Sequence, residues 1–188
     1  MASNTLDAQL IERYRAGDTT VADALVRAHQ AEVFRLALSI MDEAAEAEEA
    51  TQEALMAALK ALPGYRGEAA FSTWLYRITV NVCRGRLRKQ RARERLQNAL
   101  TVLFQIKRET TPHPEETVAR NERHAALWQA INTLDEKHRL PLVLHYYHDL
   151  PTLEIAQVLE ISEGTVHSRL HTARQRLRAQ LRLSHHDP

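Results

Sequence analysis

PTLEIAQVLEISEGTVHSRLHTARQRLRAQL, Pro151–Leu181, is the stretch on which the fold turns. It divides into a short apolar-periodic segment, Leu153 to Glu160, and a longer one, Glu163 to Leu181, that Ser162 is placed to cap. At about 100° per residue, Val166, Leu170, Ala173, Leu177 and Leu181 share a stripe about 80° wide that faces a core. The opposite face carries Thr165, Ser168, His171, Thr172 and Gln175, with Arg169 and Arg176 on one shoulder and His167, Arg174 and Arg178 on the other. The spacing is that of a helix-turn-helix. Short polar groups between flanking arginines suit a helix lying in a major groove, bases ahead and phosphates alongside.

The rest of the chain is helical in the same sense. With 5 Gly and 6 Pro in 188 residues, and no β-branched run of period two, the sequence predicts an all-α protein. Helices are expected over Leu6–Ala16, Thr19–Ile40 behind an Asp18 cap, Glu43–Leu62, Ala70–Leu96, Glu115–Thr133 and Glu136–His148, with Pro141 kinking the last unless it starts near Lys137 to Arg139. Hydrophobic content of 44% and charged content of 26% exclude a disordered tail protein. One cysteine, Cys83, forms no internal disulfide, and no leader or long apolar run is present, so a reducing, cytoplasmic setting without membrane insertion is expected. Pro63-Gly64-Tyr65-Arg66-Gly67 follows no strand and precedes no Gly-Lys-Ser/Thr, which argues against phosphoryl transfer.

Charge is more telling by segment than in total. The net charge is only +1, but residues 1–62 carry 5 basic and 11 acidic side chains, 63–110 carry 11 and 3, 111–160 carry 4 and 8, and 161–188 carry 5 and 2. Two basic surfaces far apart in sequence fit a chain gripping one polyanion at two places, although solvated helix faces give the same pattern. On the helix from Ala70, Phe71, Leu75, Ile78 and Val82 form the buried stripe with Trp74 at its edge. Arg77, Arg84, Arg88, Arg91 and Arg95 fall in a separate sector about 60° wide, with Asn81 beside it. Glu94 is the one acid between Arg77 and Arg95, so this row repels itself unless a polyanion neutralises it. In the preceding loop Phe71 and Trp74 read as core, which leaves Tyr65 and Arg66 as the better candidates for contact with an extruded base.

On the helix from Glu43, Ala47, Ala50, Thr51, Ala54, Leu55, Ala58, Leu59 and Leu62 form the packing stripe. Glu46, Glu49 and Glu53 share an exposed face with Met56, and Gln52 lies at its flank. That face should meet a basic protein surface, or else simply solvate. Apolar register fades from Leu96 to Val118, and Thr110-Thr111-Pro112-His113-Pro114 breaks any helix. We therefore expect two small helical domains, 1–95 and 119–188, joined by a flexible linker over 96–118 that could span about 75 Å extended and about 26 Å as a relaxed coil.

AEEATQEALMAALKALPGYRGEAAFSTWLYRITVNVCRGRLRK (Ala47–Lys89) and LPLVLHYYHDLPTLEIAQVLEISEGTVHSRLHTARQRLRAQL (Leu140–Leu181) together resemble the extracytoplasmic-function class of bacterial sigma-70-family factors. The resemblance implies that Glu46, Glu49, Gln52 and Glu53 dock on the clamp helices of core RNA polymerase. It implies that Tyr65, Arg66, Arg77, Asn81, Arg84 and Arg88 melt and hold the minus 10 element of promoter DNA, and that Thr165, His167, Ser168, Arg169, His171 and Arg174 read the minus 35 element. The apolar region Leu142–Leu150 would dock on the polymerase flap, the linker would thread through the polymerase, and an anti-sigma factor would hold the chain inactive. No catalytic residue, metal or cofactor is implied. Gly85 stands where many relatives carry aspartate, and Asp149 and Glu160 stand where glycines are frequent at turns. Either Glu160 is left-handed, at a cost of about 1 kcal/mol, or the turn differs from the usual one.

Two rival readings remain. A stand-alone helix-turn-helix regulator leaves the arginine row and the acidic helix without a use. A metal enzyme could use His145 with His148, or His167 with His171, but no HExxH motif accompanies them.

Overall fold

The computed structural model describes residues 2–41, 43–104 and 122–183, and no strand occurs among them. In chain order the helices are α1 (Ala2–Arg15), α2 (Ala22–Met41), α3 (Ala44–Ala61), α4 (Phe71–Phe104), α5 (Glu122–Asn132), α6 (Glu136–Tyr146), α7 (Thr152–Leu159) and α8 (Glu163–Leu183). Short 3-10 turns at Thr19–Val21 and Leu62–Gly64 lead into α2 and out of α3. The ends of α1 and α7 use one device. Behind α1, Gly17 takes φ +95 while the Asp18 N–H reaches back to the Arg13 carbonyl at 3.1 Å, leaving Asp18 to accept from the Thr20 N–H at 3.2 Å. Behind α7 the same pattern carries Glu160 at φ 57, with the Ile161 N–H on the Ala156 carbonyl at 3.1 Å. Of the two possibilities left open for that turn, the left-handed glutamate is the one present, and Asp149 is a second left-handed residue.

α2, α3 and the first half of α4 enclose a core of Leu25, Val33, Ala54, Leu55, Ala58, Leu62, Phe71 and Leu75, closed at one end by Ile11 of α1. The small residues expected on α3 (Ala47, Ala50, Ala54 and Ala58) are buried, which lets α2 and α4 approach closely. Buried hydroxyls are satisfied locally, Thr51 donating to the Ala47 carbonyl at 2.7 Å and Thr79 to that of Leu75 at 2.9 Å. α5 to α8 build the helix-turn-helix unit around Leu140, Leu144, Ile155, Val158, Val166 and Leu170.

Several expectations change. α4 is longer than expected and runs to Phe104, across the point where the linker was expected to begin. The expected start of α5 at Glu115 and most of the linker lie outside the described residues. Pro141 sits in the second turn of α6, whose helix begins at Glu136, so the hydrogen bond it cannot make would have gone to the carbonyl of exposed Lys137 in the first turn.

The relation of the two halves was not legible in the sequence. α4 carries a second apolar stripe, Tyr76, Val80 and Cys83, about 120° around the helix from Phe71 and Leu75. This stripe joins Leu36, Ile40, Ala47 and Ala50 to the core of the helix-turn-helix unit in one continuous cluster. Buried Arg139 of α6 donates through Nη2 to the Ile40 carbonyl of α2 at 3.0 Å, and the ring of His148 meets Tyr76 edge-on at 5.6 Å. The two halves are docked.

Candidate nucleic-acid and protein interfaces

The arginine row on α4 is divided by this docking. Arg88, Arg91 and Arg95 are exposed, with Asn81 exposed beside them. Arg77 pairs with Glu160, and Arg84 Nε donates to Glu136 Oε1 at 2.7 Å. The row was expected to lack counter-charge, which is correct only for its neighbours in sequence. The acids arrive from 83 and 52 residues downstream, where helical periodicity cannot see them.

In the loop ahead of α4, Tyr65 is half-buried rather than presented to solvent. Its ring lies 5.7 Å from Phe71 and 5.1 Å from Trp74, and its hydroxyl donates to the Ala69 carbonyl at 2.6 Å. Burial, with the Asp7 carboxylate adding to it, raises the phenol above its ordinary pKa. Phe71 is core as expected, whereas Trp74 keeps part of its ring at the surface. Arg66 is exposed, 3.8 Å from Glu68. A cleft of about 530 Å³ opens between this loop, Trp74 and Arg77, and Gln157 and Glu160 of the helix-turn-helix unit close its far side.

On α3, the acidic face has a basic partner within the chain. Arg86 of α4 donates to Glu46 Oε2 from Nη2 at 2.8 Å and from Nε at 3.2 Å, to Glu49 Oε2 at 2.5 Å and to Glu53 Oε2 at 3.3 Å. Hydrogen bonds to Glu46 first, then to Glu49 and Glu53, hold the guanidinium's pKa above its usual range. The sequence reading grouped the arginines by their common row and so passed over Arg86, which lies in another sector. Its spacing from the row was the available signal. Gln52 and exposed Met56 line a groove of about 750 Å³ between α2 and α3, floored by Phe34, Leu55 and Leu59.

α8 presents the face expected of it. Val166, Leu170, Ala173 and Leu177 are buried, and His167, Ser168, His171 and Arg174 are exposed, with Thr165 and Arg169 half-buried. Thr165 is held against the Ser162 cap, whose hydroxyl oxygen accepts from the Thr165 N–H at 3.2 Å. The Arg174 guanidinium stands 5.6 Å over the Tyr146 ring, and Arg176 turns away toward Asp135 at 3.4 Å. In the segment expected to dock on a flap, Leu142, Val143, Leu144 and Leu150 are core, whereas Tyr146, Tyr147 and Asp149 are exposed.

The histidine pairs do not converge. His145 Nδ1 lies 3.1 Å from the Leu150 carbonyl oxygen while His148 faces Tyr76; His171 Nε2 lies 3.0 Å from the Gln175 amide nitrogen while His167 faces Glu163 at 3.9 Å. Among the described residues no three His, Cys, Asp or Glu side chains are placed to hold a metal ion.

Comparison with known proteins follows the same division. Residues 25–93 match Sigma-70 region 2, and residues 124–177 match Sigma-70, region 4. RNA polymerase sigma-H factor of Pseudomonas aeruginosa is 34% identical over 181 residues, covering 93% of each chain. ECF RNA polymerase sigma factor SigW of Bacillus subtilis is 32% identical over 178 residues, 92% of this chain and 95% of that one. Among solved structures, the fold is shared with CnrH in complex with the cytosolic domain of CnrY (TM-score 0.66, 24% identity, 93% of this chain and 96% of that one). It is shared equally with RpoE in complex with the anti-sigma factor NepR from Bartonella quintana (TM-score 0.65, 22% identity, 85% and 96%). With both regions present in order, and relatives matched over nearly their whole length, this chain belongs to the extracytoplasmic-function class of the sigma-70 family.

Proposed function

We propose that the chain is an alternative sigma factor that binds bacterial core RNA polymerase, directs it to a set of promoters, and is held inactive by an anti-sigma factor. The observation that carries this is the pair of sigma-70 regions in order on one chain, matched by relatives over 93% of its length. Glu46, Glu49, Gln52 and Glu53, with Met56 and the α2–α3 groove, form the polymerase face. Exposed Arg66, Asn81 and Arg88, with Arg77 and Arg84, follow the phosphates of the melted minus 10 strand, and Tyr65 shapes the floor of the cleft that takes an extruded base. Extruding a base costs a few kcal/mol, offset by contacts in the cleft and by counterions released from the phosphates. Thr165, His167, Ser168, Arg169, His171 and Arg174 read the minus 35 duplex from the major groove. No covalent step is assigned to this chain. Its place is the cytoplasm, where the polymerase works; no helix among the described residues is long and apolar enough to cross a membrane. Anti-sigma control is supported by the similar structure of RpoE in complex with the anti-sigma factor NepR.

Reconstitution tests the reading. Purified chain with sigma-free core polymerase should produce a defined RNA start on a pool of genomic promoter fragments, and Met56→Asp in the groove should abolish it together with polymerase association. DNA binding with neither transcript nor polymerase association would establish the stand-alone regulator instead.

A further inference from the structure

We propose that the free chain is latched shut, with acidic side chains of the helix-turn-helix unit occupying the forward half of the α4 arginine row in place of promoter phosphates. This rests on the reading of Arg77 and Arg84 as promoter contacts. Three acids from separate points of the C-terminal unit converge on α4 between Thr73 and Arg84. Glu154 of α7 accepts from the Thr73 hydroxyl at 2.7 Å, Glu160 at the end of α7 pairs with Arg77, and Glu136 at the start of α6 accepts from Arg84 at 2.7 Å. These contacts span about 16 Å of helix, a length on which a nucleic-acid strand would place several phosphates. Gln157 and Glu160 also close the cleft beside Trp74.

Glu160 is the informative residue. It occupies the left-handed position that ends α7, where glycine is unstrained and a glutamate gains nothing from the turn itself. Among the described residues its carboxylate pairs across the interface, with Arg77. The apolar layer of Tyr76, Val80 and Cys83 lies beside the arginine sector, so whatever covers that layer brings its own rim against the row. Arg88, Arg91 and Arg95 stay uncovered. The closed chain thus keeps an electrostatic foothold for DNA while withholding the part of the row nearest the cleft.

The test compares the full-length chain with the pair Glu136→Gln, Glu160→Gly, and with a control pair, Asp23→Asn, Glu43→Gln, that removes the same charge from exposed positions on α2 and before α3. X-ray scattering at about 0.15 M salt reads closure: a compact chain of 188 residues has a radius of gyration near about 16 Å. The natural chain and the control pair should stay near that value, and the latch pair should expand. Affinity for a fluorescein-labelled oligothymidylate 20-mer reads occlusion, and should rise about fivefold or more in the latch pair beyond any rise in the control pair. An expanded natural chain, a latch pair that stays compact, or an equal gain in the control pair overturns the latch alone. Expansion of the latch pair without tighter oligonucleotide binding overturns the occlusion, and with it the assignment of Arg77 and Arg84 to DNA.

Discussion

Arg86→Ala removes the cation of α4 that gathers three carboxylates of α3. The guanidinium side chain is 21% exposed and bonds three carboxylates whose exposures are 39% at Glu46, 66% at Glu49 and 50% at Glu53. Each partly exposed pair contributes up to about 1 kcal/mol, the least exposed, Glu46, contributing most, because solvent screens the other two. Removing the arginine also leaves three carboxylates facing one another within a helix turn or two. Together these give a loss of about 2 kcal/mol, equivalent to roughly 4–8 °C in melting temperature for a chain of this size. Urea unfolding with linear extrapolation measures it. Arg86→Lys should recover less than half, because an ammonium cannot bond Glu46 through two nitrogens while reaching Glu53. A double-mutant cycle with Glu46→Ala should show the largest coupling of the three, and the loss should shrink in about 1 M salt. A loss below about 0.5 kcal/mol, or a lysine variant as stable as the natural chain, refutes the reasoning. The same geometry bears on polymerase binding, since reversing Glu49 and Glu53 to lysine disturbs Arg86 as well as any docking face; Met56→Asp avoids that ambiguity.

Burial, with the Arg35 charge adding to it, lowers the His148 pKa from 6.5 to about 4. The neutral ring is therefore the form that packs on Tyr76, so its contribution is complete above pH 6.5 and is lost as pH falls toward 4, by about 1 kcal/mol at pH 5.5. Thermal unfolding at pH 7.5 and 5.5, compared between the natural chain and His148→Gln, checks this; an equal acid shift in both would contradict it. Burial likewise pushes the Cys83 thiol up to about 12, so a disulfide reagent should label it only at the rate of opening, and stoichiometric labelling within seconds of mixing under native conditions would be incompatible with its place in the core. Asp7 Oδ1 lies 3.0 Å from His29 Nε2 with both side chains buried, so Asp7→Ala should destabilise by about 1–3 kcal/mol in urea unfolding, and a neutral result would show that α1 does not cover His29.

Most of the fold was legible because it is written in local signals. The 3.6-residue apolar period located every helix among the described residues, and the Asp18 and Ser162 caps fixed two starts. The sequence marked Glu160 as a position where glycines are frequent but left its turn open, whereas the α8 faces emerged as read because a single buried stripe orients a helix. Reading failed where packing outside any helical period set a residue's surroundings. Tyr65 looked presented because a loop aromatic carries no periodicity, yet Phe71 and Trp74 draw it inward. For Leu142–Leu150 the docking expectation came from the resemblance, and composition could not say which apolar residues there are core: the leucines and Val143 are buried, while Tyr146 and Tyr147 are exposed.

The sequence alone determined that the protein is all helical, that it carries two basic surfaces, and to which family it belongs, since helix formation and motif spacing depend on residues a few positions apart. Only the tertiary structure decided which charges meet. Glu160 reaches Arg77, Glu136 reaches Arg84, and Arg86 gathers Glu46, Glu49 and Glu53, because α4 buries two faces at once and each packed face sets the neighbours of the sectors beside it. Packing of apolar surface is nondirectional and places the elements. The ion pairs then follow from whatever charge the rim of each face happens to carry.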